Sequence, residues 1–154
     1  MKLIEDCKYG IHDLSRTELD PILKLPRLNM PFELGLDLGS KRYGNKRLRQ
    51  KCHLILDTQK YRYKAFVSDL GGQDLEAHSD SAATAIRVVR NWLSSQHDLT
   101  GTIAGAAHMI RRYEKFQAEL PALCEGLKLE IADTANWNDL RVLLRKWLIA
   151  EATL

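Results

Sequence analysis

Long hydrophobic runs are missing from this 154-residue chain. No apolar stretch approaches the roughly 20 residues needed to cross a bilayer. The start, Met-Lys-Leu-Ile-Glu-Asp-Cys, has no apolar segment of the kind a signal peptide carries. Cysteine is scarce: Cys7, Cys52 and Cys124 are scattered and odd in number, with neither a disulfide framework nor metal-ligand spacing. A cytoplasmic protein with small core thiols is expected. Charge of one sign is not in large excess, at +3 net, so no general grip on nucleic acid is implied. Phosphate-cradling glycine loops are absent, because Gly35, Gly39 and Gly44 match neither a dinucleotide fingerprint nor a P-loop. His12, His53, His78, His97 and His108 lack zinc-site spacing, and no Gly-x-Ser-x-Gly turn occurs. No metal, membrane or nucleic-acid partner is therefore expected.

What is present suits a soluble domain, with 45% hydrophobic and 28% charged residues. Residues 1–8 pattern as the tail of an amphipathic helix, and Tyr9 to Leu14 as a short strand. Residues 16–29 form a loop, since Pro21 and Pro26 forbid regular structure. Met30 to Ser40 fits two templates. Phe32, Leu34, Leu36 and Leu38 alternate as in a strand, while Met30, Leu34 and Leu38 stack at i, i+4. Pro31 in a first turn, Asn29 as a cap and Gly39 as a stop favour the helix. Gly35 inside it suggests close approach to a sheet.

Residues 41–51 form a basic stretch with Lys41, Arg42, Lys46, Arg47, Arg49 and Lys51. It reads as a solvated connection or, alternatively, a phosphate-contacting loop. Cys52 to Asp57 is the clearest strand, and its continuous apolar centre indicates a parallel sheet buried on both faces. Residues 60–70 pattern as a helix, Asp74 to His78 as a short strand, and 81–95 as a helix capped by Ser79 or Asp80. The polar stretch Gln96 to Thr100 marks a boundary between residues 1–95 and 100–154. Beyond it the spacing predicts a helix over 102–119 ended or restarted by Pro121, an extended piece at 127–131, and a helix over 137–150. The alternation of helices and strands argues for an α/β open sheet, whose ligands bind beyond the carboxyl ends of the strands. Asp13 and Ser15 fall at such an end, and Glu33 opens the next helix. A Glu there also has the plain role of favouring the positive end of the helix dipole, and Asp13 and Ser15 that of closing a turn.

Cys7 to Arg16, then Leu25 to Gly39, then the strand at Cys52–Asp57, resembles a group of bacterial proteins with a TIR-like fold. That fold is related to the nucleoside 2-deoxyribosyltransferases. There a strand ending near Asp or Ser leads through a loop to a helix opening Asn-x-x-x-Glu-x-Gly, which here reads Asn29, Glu33, Gly35. The resemblance covers residues 1–95 and implies a truncated flavodoxin-like (TIR-like) parallel sheet followed by a C-terminal helical unit. Such folds begin with a strand whose loop lines the pocket. The resemblance implies that this chain, starting at Met1, lacks that strand, through a late start codon or as a remnant.

The resemblance also implies the chemistry. Glu33 would be the catalytic carboxylate cleaving the N-glycosidic bond of NAD or a related nucleotide, with NAD as substrate and no cofactor. Asp13 and Ser15 would hold ribose hydroxyls or orient Glu33, Asn29 would fix Glu33 or bind sugar, and Arg16 would meet a phosphate. Another class of function is a non-catalytic nucleotide-sensing or interaction module in bacterial defence or signalling. The C-terminal helices, with Trp92, Trp137 and Trp147, would then form a homo-oligomer surface. Base exchange between deoxynucleosides is a third reading.

Overall fold

The computed structural model describes residues 2–68, 70, 72–96 and 101–152. The chain divides into two compact units, Met1–Thr102 and Ile103–Leu154. The first is α/β. Its strands β1 (Tyr9–Asp13), β2 (Cys52–Asp57) and β3 (Asp74–Ala77) form a parallel sheet in sequence order. Tyr9 pairs with Cys52 and Asp13 with Leu56, while Leu54 pairs with Asp74 and Asp57 with Ala77. Helix α1 (Lys2–Asp6) precedes the sheet, α2 (Asn29–Tyr43) joins β1 to β2, and α3 (Ala82–Ser94) follows β3. A parallel sheet covered on both faces is consistent with a truncated flavodoxin-like fold.

Alternation along β2 sends its side chains to two cores. On one face Leu14, Leu34, Ile55, Tyr63 and Leu70 pack together, with Met30 and Leu38 of α2 beside them. On the other, Leu54 and Leu56 meet Trp92 of α3, flanked by Tyr9, Val88 and Val89. The i, i+4 stacking of Met30, Leu34 and Leu38 thus wins over the strand-like alternation, and Phe32 is left exposed.

Several boundaries differ from the sequence expectation. Leu28, not Asn29, stands at the N-cap of α2 and has no side-chain cap. The helix runs through Gly39 to Tyr43 and stops at Gly44. There a Cβ would strike the Ser40 carbonyl oxygen and Leu48. Gly35 has nothing near its missing side chain; close approach occurs instead at Gly10, where a Cβ would lie 2.5 Å from Asp37 Oδ2. Among the described residues of 60–70 the helical structure is a 3-10 turn, Arg62–Ala65, preceded by a left-handed Tyr61 (φ 67°) from which no α-helix extends back. Ser79 and Asp80 are also left-handed, at φ 53° and 55°, unlike the extended backbone a cap requires. Ser81 therefore caps α3, accepting from the Thr84 amide at 3.3 Å.

The second unit holds α4 (Ala106–Gly126) and α5 (Trp137–Ala152), with a 3-10 segment, Ile131–Ala135, between them. Its core is Phe116, Leu120, Cys124, Leu143 and Trp147. Helix α4 passes straight through Pro121. An interior proline costs about 3 kcal/mol, and the packing of Leu120 and Cys124 on either side offsets it. The expected extended piece at 127–131 is a helix ending. Lys128 is left-handed (φ 57°), and the Leu127 and Leu129 amides both donate to the Cys124 carbonyl. Trp92 and Trp147 are buried within their own units, while Trp137 is exposed. Of the expected boundary at 96–100, only Gln96 lies within the described residues. Among the described residues no helix is long and apolar enough to cross a membrane.

Candidate functional site

The carboxyl ends of β1, β2 and β3 carry a connected polar cluster. Asp13 closes β1, and its Oδ1 accepts from the Ser15 amide at 2.9 Å, an Asx turn that redirects the chain. Asp57 closes β2 and is wholly buried. Its Oδ1 accepts from Arg62 Nε at 2.7 Å and from the Thr58 amide at 2.7 Å. The same guanidinium donates to the Leu14 carbonyl at 2.6 Å, so Arg62 ties the ends of β1 and β2 together. Asp57 Oδ2 has no partner among the described residues. His78 follows β3; its amide donates to the Asp57 carbonyl, and its Nε2 lies 3.4 Å from Asp13 Oδ1. Farther out, Arg16 Nη2 reaches Asp80 Oδ1 at 3.2 Å, an exposed pair of little energetic weight.

Of the residues selected from sequence, Asp13, Ser15 and Arg16 therefore lie together. Ser15 is buried, Arg16 is exposed, and the Asp13 side chain is 48% exposed. A half-exposed carboxylate beside an imidazole can accept hydrogen bonds from vicinal hydroxyls. Asp57, Arg62, His78 and Asp80 belong to the same cluster and were not selected from sequence. The signal for Asp57 was available, since a polar residue ending an apolar strand takes the same place as Asp13.

Asn29 and Glu33 sit elsewhere. They line a hollow of about 400 Å³ with Phe32 and Leu36 of α2 and with Leu3 and Ile4 of α1. Glu33 is exposed, and among the described residues no hydrogen bond or ion pair reaches it. The α2 crossover between parallel neighbours must start at the end of the sheet where β1 finishes. Glu33 lies one turn into α2, facing the hollow it shares with α1, and among the described residues the two carboxylates make no contact.

A second polar cluster lies under α2, buried against the sheet. Asp37 accepts from His12 Nε2 at 3.0 Å, and its other oxygen is 3.2 Å from Lys51 Nζ. Lys51 also donates to the Ile4 carbonyl at 2.6 Å and to the Cys7 carbonyl, tying the C-terminal end of α1 to the sheet. His53 Nε2 stands 3.3 Å from Asp37 Oδ1 without a directed hydrogen bond. Burial pushes the Asp37 carboxyl up, but hydrogen bonds from His12 and Lys51 and the neighbouring positive charge outweigh it. The net result lies below the ordinary value. Burial holds His53 below its usual value, and Asp37 only partly restores it. The expectation that residues 41–51 are simply solvated fails at Lys51, which is 2% exposed.

Among the described residues no group of three or more His, Cys, Asp or Glu side chains is placed to hold a metal. No family model, curated protein or solved structure matches the chain.

Proposed function

We propose that the first unit is a TIR-like nucleotide-processing domain that binds its ligand at the carboxyl edge of the sheet. The observation that carries this reading is the gathering of Asp13, Ser15 and Arg16 with Asp57, Arg62 and His78 where open parallel sheets take ligands. In this reading Asp13 and His78 take ribose hydroxyls, and Arg16 exchanges Asp80 for a phosphate. The nucleotide then extends from this cluster to Glu33, which has no partner among the described residues and would face its anomeric carbon.

The reaction is hydrolysis of an N-glycosidic bond, with NAD as the nucleotide. The bond from ribose C1′ to the nicotinamide nitrogen breaks, and its electron pair leaves with the base and neutralises the pyridinium. Glu33 stabilises the positive charge that grows on the sugar. Water then adds to C1′ and releases a proton. No general acid is required, because the leaving group is already cationic.

A second reading is supported by the exposure of Glu33, which keeps its carboxylate solvated and weakens its field at a reacting carbon. The unit would then bind a nucleotide without consuming it, as a sensing or interaction module in the cytoplasm. The exposed Trp137 and Ile149 of α5 would support self-association.

Nicotinamide release from NAD by the purified chain, beside Glu33→Gln, tests the first reading. Release by the parent and its loss in the variant, with the thermal melt unchanged, is the expected result. Equal release from both removes Glu33 from the chemistry. Calorimetric NAD binding without release selects the binding module.

A further inference from the structure

The basic stretch 41–51 is divided by the fold into parts with different work. Arg47 donates to the Glu5 carbonyl at 2.9 Å, and Lys51 is buried beneath α1, so both are structural. Lys41, Arg42 and Arg49 instead converge on a hollow of about 600 Å³, together with Leu38 and Gln73. Lys41 and Arg42 lie in the last turn of α2, Arg49 in the 3-10 turn Leu48–Gln50 just before β2, and Gln73 just before β3. This is the amino edge of the sheet, opposite the cluster of Asp13 and Asp57.

The chain is built to bring them there. Gly44 allows the backbone to fold back so tightly that Leu48 packs where a side chain would stand. Arg49 Nε donates to the Gly44 carbonyl at 3.0 Å. That bond anchors the near side of the guanidinium and leaves its Nη groups unpaired among the described residues. Among the described residues Lys41 and Arg42 have no carboxylate partner either, and the described residues that line the hollow include no acid. The positive charge of Lys41 is felt as far as His53, whose protonation it opposes. Compensation of the helix dipole explains basic residues at the end of α2. It does not explain Arg49, which comes from a different element, or its anchoring.

From this we infer that the amino-edge hollow of Lys41, Arg42, Arg49 and Gln73 is a binding site for the phosphate chain of a di- or triphosphate. Arginine forks match phosphate oxygens in pairs, and a lysine adds a mobile point charge. Gln73 can donate to a bridging oxygen. Among the described residues the hollow has no aromatic lining on which a base could stack, and Leu38 is its apolar residue. Recognition therefore rests on the phosphates and is independent of the carboxyl-edge site.

The test is calorimetric titration of the full chain with inorganic tripolyphosphate, free of divalent metal, at about 150 mM salt, where exposed charges are screened. The parent chain binds, and Arg42→Gln and Arg49→Gln each weaken binding roughly tenfold, the loss of a charge-assisted contact. Lys46→Gln, outside the hollow, leaves affinity within about twofold, as expected of a screened exposed charge. A nucleoside triphosphate binds no more tightly than tripolyphosphate. Melting curves of the variants confirm that they remain folded. No binding by the parent overturns the proposal, as does equal weakening by Lys46→Gln, which would mean diffuse charge. Loss of tripolyphosphate binding in Arg16→Gln would move the anion to the carboxyl edge and also overturn it. Failure of NAD cleavage leaves this result untouched, because the two assays report on opposite edges.

Discussion

Replacing Asp37 by Asn removes one negative charge from a place where water cannot replace it. Asp37 is 2% exposed, and so is Lys51. The ammonium would keep the Ile4 and Cys7 carbonyls but lose its only carboxylate partner among the described residues. Breaking a buried pair from one side costs about 3–5 kcal/mol. The carbonyls that remain put this case at the lower end, about 3 kcal/mol, a melting-temperature loss on the order of 10 °C for a unit of this size. Urea unfolding followed by circular dichroism gives the free energy, and the slope reports whether the two states are still the same. A double variant, Asp37→Asn with Lys51→Met, separates the charge from the geometry. It should recover part of the loss, because an apolar pair avoids the stranded ammonium. A single-variant loss below about 1 kcal/mol would refute the reasoning, as would a double variant no better than Asp37→Asn alone.

The same cluster sets a pH dependence. His53 has a folded-state pKa below its ordinary 6.5, so the unfolded chain takes up that proton first. Stability is full above about pH 6.5 and falls as the pH drops toward the folded value. Asp37, held below 3.8, adds a further loss as the pH falls through its own lowered value. Urea midpoints that do not move between about pH 7.5 and about pH 5 would contradict this. In the second unit, Leu143→Ala empties a position that is 1% exposed between α4 and α5. It should cost about 3 kcal/mol, read as loss of near-ultraviolet signal from Trp147 at lower temperature.

The sheet was the legible part. Cys52–Asp57 stands out because six residues with a continuous apolar centre can satisfy only a strand covered on both sides. At Met30 to Ser40 the helix was legible from Pro31 in its first turn and from the i, i+4 stacking of Met30, Leu34 and Leu38, whereas Gly39, read as its stop, lies inside it. Helix ends were harder. Nothing in the residue types of Ser79 and Asp80 announces that both are left-handed, and so the cap falls to Ser81. Where a helix was expected at 60–70, Arg62 is instead held by nearby Asp57 and by the Leu14 carbonyl, a contact distant in sequence that a local pattern does not show. At the candidate site, Asp13, Ser15 and Arg16 could be found because the end of a strand is visible in sequence. Their partners His78 and Asp80 lie more than sixty residues away, and only the strand pairing brings them there. Asp37, His53 and Lys51 were hidden because charged residues are ordinarily taken to face water.

The position of β2 decides when the first unit can begin to fold. Both cores of the first unit are built on it, through Ile55 on one face and Leu54 and Leu56 on the other. Before it exists, β1 has no strand to pair with among the described residues, and Asp37 has no Lys51 or His53 beside it. Helices α1 and α2 therefore leave the ribosome before the strand of the described residues that completes their sheet. Once Asp57 emerges, the two strands, the helix between them and the tether on α1 become available together. Folding of this unit during synthesis is then a single late event, followed by the addition of β3 and α3 to a surface already made.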